Sequence, residues 1–266
     1  MSPWLLLLMA WLLAALMMGI GWQWQRRHAN ASNVDVLWAA GLGGAALLTA
    51  ALGQGAPVPR VMLGLTAGIW SLRLAAHLWR RMHGAQEDGR YRTLRERWGD
   101  DQHKWFGMFQ FQALLIPLFA LPFIAVAFNP TTRPLALAAG SVVWLVAIFG
   151  EWVADRQLAR FRTAPEHEGT TCRTGLWRYS RHPNYFFEWL HWFAYVLLAV
   201  GSPLGWLAWT GPAVMFLFLR FVSGIPFAEQ QALRTRGEDY RAYQRETSML
   251  VPWFPKISHS ARRSAP

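Results

Sequence analysis

The sequence predicts an all-α integral membrane protein, a bundle of about seven transmembrane helices with its N-terminus outside and its C-terminus in the cytosol. Three observations predict it. Apolar residues make up 53% of the 266 positions and charged residues only 15%, a composition suited to lipid. The charges are bunched between long apolar runs, which separates spans from connections. Lys and Arg alternate in density from one connection to the next, as the positive-inside rule requires.

Runs long enough to cross, or nearly cross, a bilayer lie at 3–22, 34–53, 58–79, 105–128, 134–154, 185–201 and 204–222, each close to the ~20 residues that span the hydrocarbon. The first has no basic residue before it and Arg26–Arg27 after it, the reverse of a secretory signal, so it is expected to stay as a helix. In the third, Gly64 and Gly68 predict a helix-packing notch. Pro117 and Pro122 are expected to kink the fourth, and Gly201-Ser202-Pro203 to turn the chain between the sixth and seventh. Segments 23–33, 80–104, 155–184 and 223–266 hold 22 of the 26 Lys and Arg, whereas the alternate connections hold only Arg60 and Arg133. That asymmetry predicts N-out, C-in. The chain shows no repeat and no separate soluble domain, so 1–266 is expected to be one transmembrane domain.

Composition also narrows function. A net charge of +11 suits anionic lipid rather than nucleic acid, because the basic residues adjoin apolar spans. A single Cys172 excludes an internal disulfide and Cys-based zinc sites. Gly41-Leu-Gly43-Gly-Ala-Ala46 formally satisfies G-x-G-x-x-A but sits inside a span with no strand before it, so a dinucleotide fold is rejected. The eight His never pair at His-x-x-x-His or His-x-x-His spacing, and no metal site is predicted.

Ionisable residues inside a span are retained mainly where they face a cavity or a partner. Here they gather near the cytosolic ends. Asp35 opens the second span, Arg73 and His77 lie late in the third, Glu151 and Asp155 close the fifth, Glu188 and His191 open the sixth, and Arg220 lies near the inner end of the seventh. Trp70, Arg73, His77 and Arg80 share one helical stripe, and Glu151, Asp155, Leu158 and Arg162 another. Arg80, Arg220 and most Trp residues read as interfacial anchors. Acids are too short to snorkel far, and the expectation is a polar cavity open to the cytosol. Asp35 itself has two readings: a carboxyl kept neutral by burial, or the cap of its own helix.

The segment Gly175-Leu-Trp-Arg-Tyr-Ser-Arg-His-Pro-Asn-Tyr-Phe-Phe-Glu188 is a basic loop that ends at a helix start, where Asn184 and Glu188 lie one turn apart. Arg178 and Arg181 can hold phosphates there, and Asn184 and Glu188 an amide or ribose. This stretch resembles the signature of the steroid 5-alpha-reductase-like membrane family, in particular its bacterial branch. Asp35 with Trp38, Trp70-x-x-Arg73, Glu87-Asp88-Gly-Arg90-Tyr91, Glu151-x-x-x-Asp155-Arg-Gln-x-x-x-Phe161-Arg162, and Glu229 with Tyr240 and Tyr243 extend the likeness over nearly the whole chain. Arg-His-Pro-x-Tyr also resembles the S-adenosylmethionine loop of the isoprenylcysteine carboxyl methyltransferases.

The reductase resemblance implies NADPH in a cytosol-facing cavity formed by the half 129–266, with its loop 155–184 and tail 223–266, and a lipophilic enone among the helices of 1–128. It implies cofactor contacts at Asp155, Arg162, Arg173, Asn184 and Glu188, with Arg73 and His77 from the third helix. Glu151, Tyr179, Arg181, His182, Tyr185, Glu229 and Tyr240 complete that implied set. Asp35, occupying roughly the family's acid position, or Tyr91 would supply the proton. The likeness departs at Trp70, where the family has Tyr, and at Glu229, where the animal enzymes have His, so a steroid is not implied. The expected activity is hydride transfer to an enone-like carbon–carbon double bond in the bacterial inner membrane, by a chain for which a monomer is plausible. A membrane methyltransferase and a lipid-binding protein without catalysis remain the alternatives.

Overall fold

The computed structural model describes residues 1–84 and 87–256, and among them every regular element is helical. The helices are α1 (Pro3–His28), α2 (Asn33–Leu52), α3 (Pro57–Gly84), α4 (Gly89–Trp98), α5 (Gln102–Ala127), α6 (Pro134–Thr163), α7 (Pro183–Leu198), α8 (Thr210–Leu217) and α9 (Ile225–Glu246). The end of the expected tail, 257–266, and residues 85–86 of the expected inner connection 80–104 lie outside the described residues.

Six helical stretches are long and apolar enough to cross a membrane: Pro3–His28, Asn33–Leu52, Pro57–His83, Gln102–Ala127, Pro134–Thr163 and Gly205–Glu246. The chain is therefore an all-helical protein with transmembrane helices, although its count differs from the seven expected. The difference is α7, whose 16 residues fall short of the ~20 that cover the hydrocarbon. It begins only at Pro183, because the polar Arg181-His182 pair is used by the preceding loop. It ends before a turn at Gly201, whose φ of 96° is open to glycine; a Cβ there would collide with Thr131. Pro117 and Pro122 both lie inside α5, which runs unbroken through them.

The described chain forms two compact units, Met1–Gly140 with Tyr195–Gly211, and Ser141–Ala194 with Pro212 onward. In the first unit α5 packs against α1, α2 and α3, and α2 lies along α3. Gly64 and Gly68 face Leu47 and Ala50 across that seam, the close approach expected of a small-residue notch. Trp70, Trp105, Phe109, Phe119 and Phe123 fill the interior. The outer faces are apolar too: Leu12, Leu16 and Ile20 of α1 and Leu65 and Leu72 of α3 are more than half exposed, as a lipid-solvated surface requires.

In the second unit α6 extends beyond its apolar run to Thr163, and α7, α8 and α9 follow. Phe218–Val222 is wound as a π-helix that joins the apolar α8 to the charged α9. Phe187 lies against Gly150, where a Cβ would collide with the ring.

Candidate functional site

In the first unit, Asp88 ends the connection after α3 by capping α4, accepting from the Arg90 amide at 3.0 Å. This cap aims two successive side chains at α2. Arg90 Nη2 reaches Asp35 Oδ2 at 2.7 Å, and the Tyr91 hydroxyl donates to Asp35 Oδ1 at 2.6 Å. Asp35 therefore does not cap its helix. Both its oxygens accept from α4. The Tyr91 phenol is 5% exposed, and burial, then the Asp35 charge, push its hydroxyl well above the ordinary tyrosine value.

Asp88 also pairs with Arg81 at 2.6 Å. Burial opposes its ionisation, yet Arg90 and Arg81 together hold its carboxyl below the usual range. Glu87 accepts from the Ala31 amide at 2.8 Å and pairs with Arg95 at 2.8 Å. The Asp88 amide donates to Ser32 Oγ at 2.9 Å. Beside this network is a cavity of about 210 Å³ lined by Ser32, Asp35, Leu78, Arg81, Met82, Glu87, Asp88 and Gly89. One turn along α2, the buried indole N–H of Trp38 has no protein acceptor. Of the other expected residues of this unit, Arg73 is half-buried and His77 exposed on α3.

In the second unit the basic loop is tied to α6. The indole of Trp177 donates to the Ala154 carbonyl at 2.9 Å, and the Leu176 amide to Gln157 Oε1 at 2.9 Å. Asn184, at the start of α7, donates to Asp155 Oδ1 at 3.1 Å. Glu188 stands 4.0 Å from His191 Nδ1, and Glu151 is buried. Of the residues expected to contact a cofactor, Asp155 and Asn184 are thus brought together by α6 and α7.

Glu229 of α9 is the hub of this unit. Its Oε1 accepts from Arg181 Nε at 2.7 Å, His182 Nε2 at 3.3 Å and the Tyr240 hydroxyl at 3.4 Å. Its Oε2 accepts from Gln244 at 2.9 Å. Arg181 further donates to the carbonyls of Thr247 (2.8 Å) and Gln244 (3.1 Å), and Tyr243 to those of Trp177 and Ser180. His182 is 5% exposed and stacks on Tyr185. Burial lowers its imidazole below the ordinary 6.5, against the pull of Glu229. Arg181, His182, Glu229 and Tyr240, assigned from the sequence to a cofactor, hold one another.

A third cluster is built on three arginines. Arg173 is engaged by Asp239 at 2.9 Å and Glu246 at 3.4 Å. Arg162, exposed at the end of α6, and Arg236 of α9 are close enough to repel each other. Arg236 lies over the Tyr240 ring at 5.0 Å, and its buried Nε has no protein acceptor. Two adjacent guanidiniums, one partly desolvated without a bonded carboxylate, suit a phosphate, whose charge would offset that desolvation.

Arg90, Arg236 and Gln244 were not assigned roles from the sequence. Arg90 was accessible in principle, since Asp88 and Arg90 flank the glycine at which α4 begins. Gln244 lies one turn after Tyr240 on the same face of α9. Arg236 carried no signal: a lone arginine in a charged helix reads as solvated.

A family model described as "protein of unknown function (DUF1295)" matches residues 21–247. No curated protein and no solved structure matches the chain.

Proposed function

The chain belongs to the DUF1295 family, whose description assigns no activity, and from its sites we propose an NADPH-dependent membrane reductase that acts on an enone-like double bond of a lipophilic substrate. One observation carries the reading: a buried phenol, Tyr91, held 2.6 Å from Asp35 with Arg90 on the same carboxylate, beside a cavity among the ends of membrane helices. Reduction of an enone needs a proton donor for the oxygen that gains charge. A phenol that keeps its proton at neutral pH, with a guanidinium nearby to stabilise the phenolate left behind, meets that need. Asp35 then acts as an acceptor that positions the phenol, not as the acid.

Arg162 and Arg236 would hold the 2′-phosphate or pyrophosphate, and Asp155 and Asn184 the ribose or amide. When bound, the cofactor supplies the hydride. Methyl transfer would leave the Tyr91 arrangement without a task, because it requires no general acid. In the proposed topology seven segments cross, α7 among them, with the N-terminus outside and both clusters on the cytosolic side of the bacterial inner membrane. The deciding experiment is purification in mild detergent followed by mass spectrometry of the nucleotide retained, with NADPH oxidation measured on enone lipids. Retained NADP(H) and turnover are expected; retained S-adenosylmethionine would overturn the reading.

A further inference from the structure

The segment after α9 does not leave the protein as a free tail. It doubles back over the basic loop: the Arg181 amide donates to the Ser248 carbonyl at 2.8 Å, Ser180 Oγ to Leu250 at 2.7 Å, and the Trp253 amide to Tyr179 at 2.9 Å. The Lys256 amide closes onto Glu246 at 2.8 Å. Residues 247–256 are thus a strap tied to the loop and to the end of α9 by hydrogen bonds to its backbone. Its side chains present the opposite pattern. Trp253 is 70% exposed and Phe254 77%, with Val251 beside them at 50%, a costly apolar projection if it faced water.

The height of this projection follows from the loop beneath it. Trp177 and Leu176 are bonded to Ala154 and Gln157 of α6, and Trp253 to Tyr179 just after them. On α6 the exposed Phe149 and Trp152 belong to the apolar surface, whereas Arg156 and Arg160 follow four and eight residues after Trp152. The hydrocarbon boundary therefore falls near residues 152–156, and at 1.5 Å per residue Ala154 is only about 3 Å beyond Trp152. Exposed Arg178 and Lys256 accompany the aromatic pair, and tryptophan with basic side chains is the composition that settles among headgroups.

We infer that Trp253 and Phe254 dock the strap into the headgroup region of the bilayer, with Arg178 and Lys256 taking anionic lipid phosphates. The strap then holds the loop 175–182 at the membrane surface.

The test uses the full chain with Cys172→Ser and Phe254→Cys, labelled with an environment-sensitive fluorophore and reconstituted in phosphatidylcholine nanodiscs with and without phosphatidylglycerol. Val251→Cys serves as a second label site should the first disturb the strap. Blue-shifted emission, quenched by a shallow spin-labelled lipid and shielded from aqueous iodide, is expected at both sites. Arg178→Glu with Lys256→Glu should remove any added protection from phosphatidylglycerol. Water-like emission open to iodide in both lipid compositions would overturn the inference, as would protection that appears only when two protein copies share a disc.

Discussion

Replacing Glu229 by Ala should destabilise the second unit more than any other single charge removal there. Four donors converge on this carboxylate, and the Arg181 and Glu229 side chains are only 11% and 17% exposed. Removing one partner of a buried pair costs about 3–5 kcal/mol. The lower end applies here, because Arg181 keeps the Thr247 and Gln244 carbonyls. At ~2–4 °C per kcal/mol for a chain of this size, a loss of about 3 kcal/mol corresponds to a Tm lower by roughly 6–12 °C. Tryptophan fluorescence during heating in detergent measures it. Glu229→Gln, which keeps an acceptor but not the charge, should fall between. Glu238→Ala, which breaks exposed pairs with Arg241 and Arg245, should leave Tm unchanged. A Glu229→Ala protein that melts with the parent would refute the hub.

Tyr91→Phe should lower turnover by about 100-fold or more with nucleotide affinity retained, and Asp35→Asn should lower it less, since the phenol survives; steady-state NADPH oxidation separates the two. Arg162→Ala and Arg236→Ala should each weaken NADPH binding about 10- to 100-fold in titration calorimetry, the scale of a lost charge-assisted contact. Below about pH 6.5 unfolded His182 takes up a proton that the buried imidazole resists, so this residue's contribution to stability is present above that pH and is lost as pH falls. His182→Asn should flatten Tm against pH in that window. Reporter fusions after residue 202 and after residue 256 should report opposite sides of the membrane.

The long spans were legible because a helix that crosses the hydrocarbon needs some 20 consecutive, predominantly apolar residues. α7 was less so. Its apolar run continues to residue 201, and its true end is set by a glycine turn rather than by hydropathy. Asp35 and Tyr91 were named from motif positions, but their bond depends on a cap at Asp88 that rotates α4 to face α2. Glu229 was legible as a polar residue of the tail and not as a hub, because its donors lie 48 residues upstream at Arg181 and on later turns of its own helix. The strap left almost no trace in the sequence: its anchors are mainly backbone groups, which every residue carries.

The grip of Glu87 on the Ala31 amide and of the Asp88 amide on Ser32 makes a latch of two connections that are remote in sequence. The turn between α1 and α2 and the start of α4 must travel together. Widening the Asp35 cavity from that side would have to part these two hydrogen bonds or carry both connections along together.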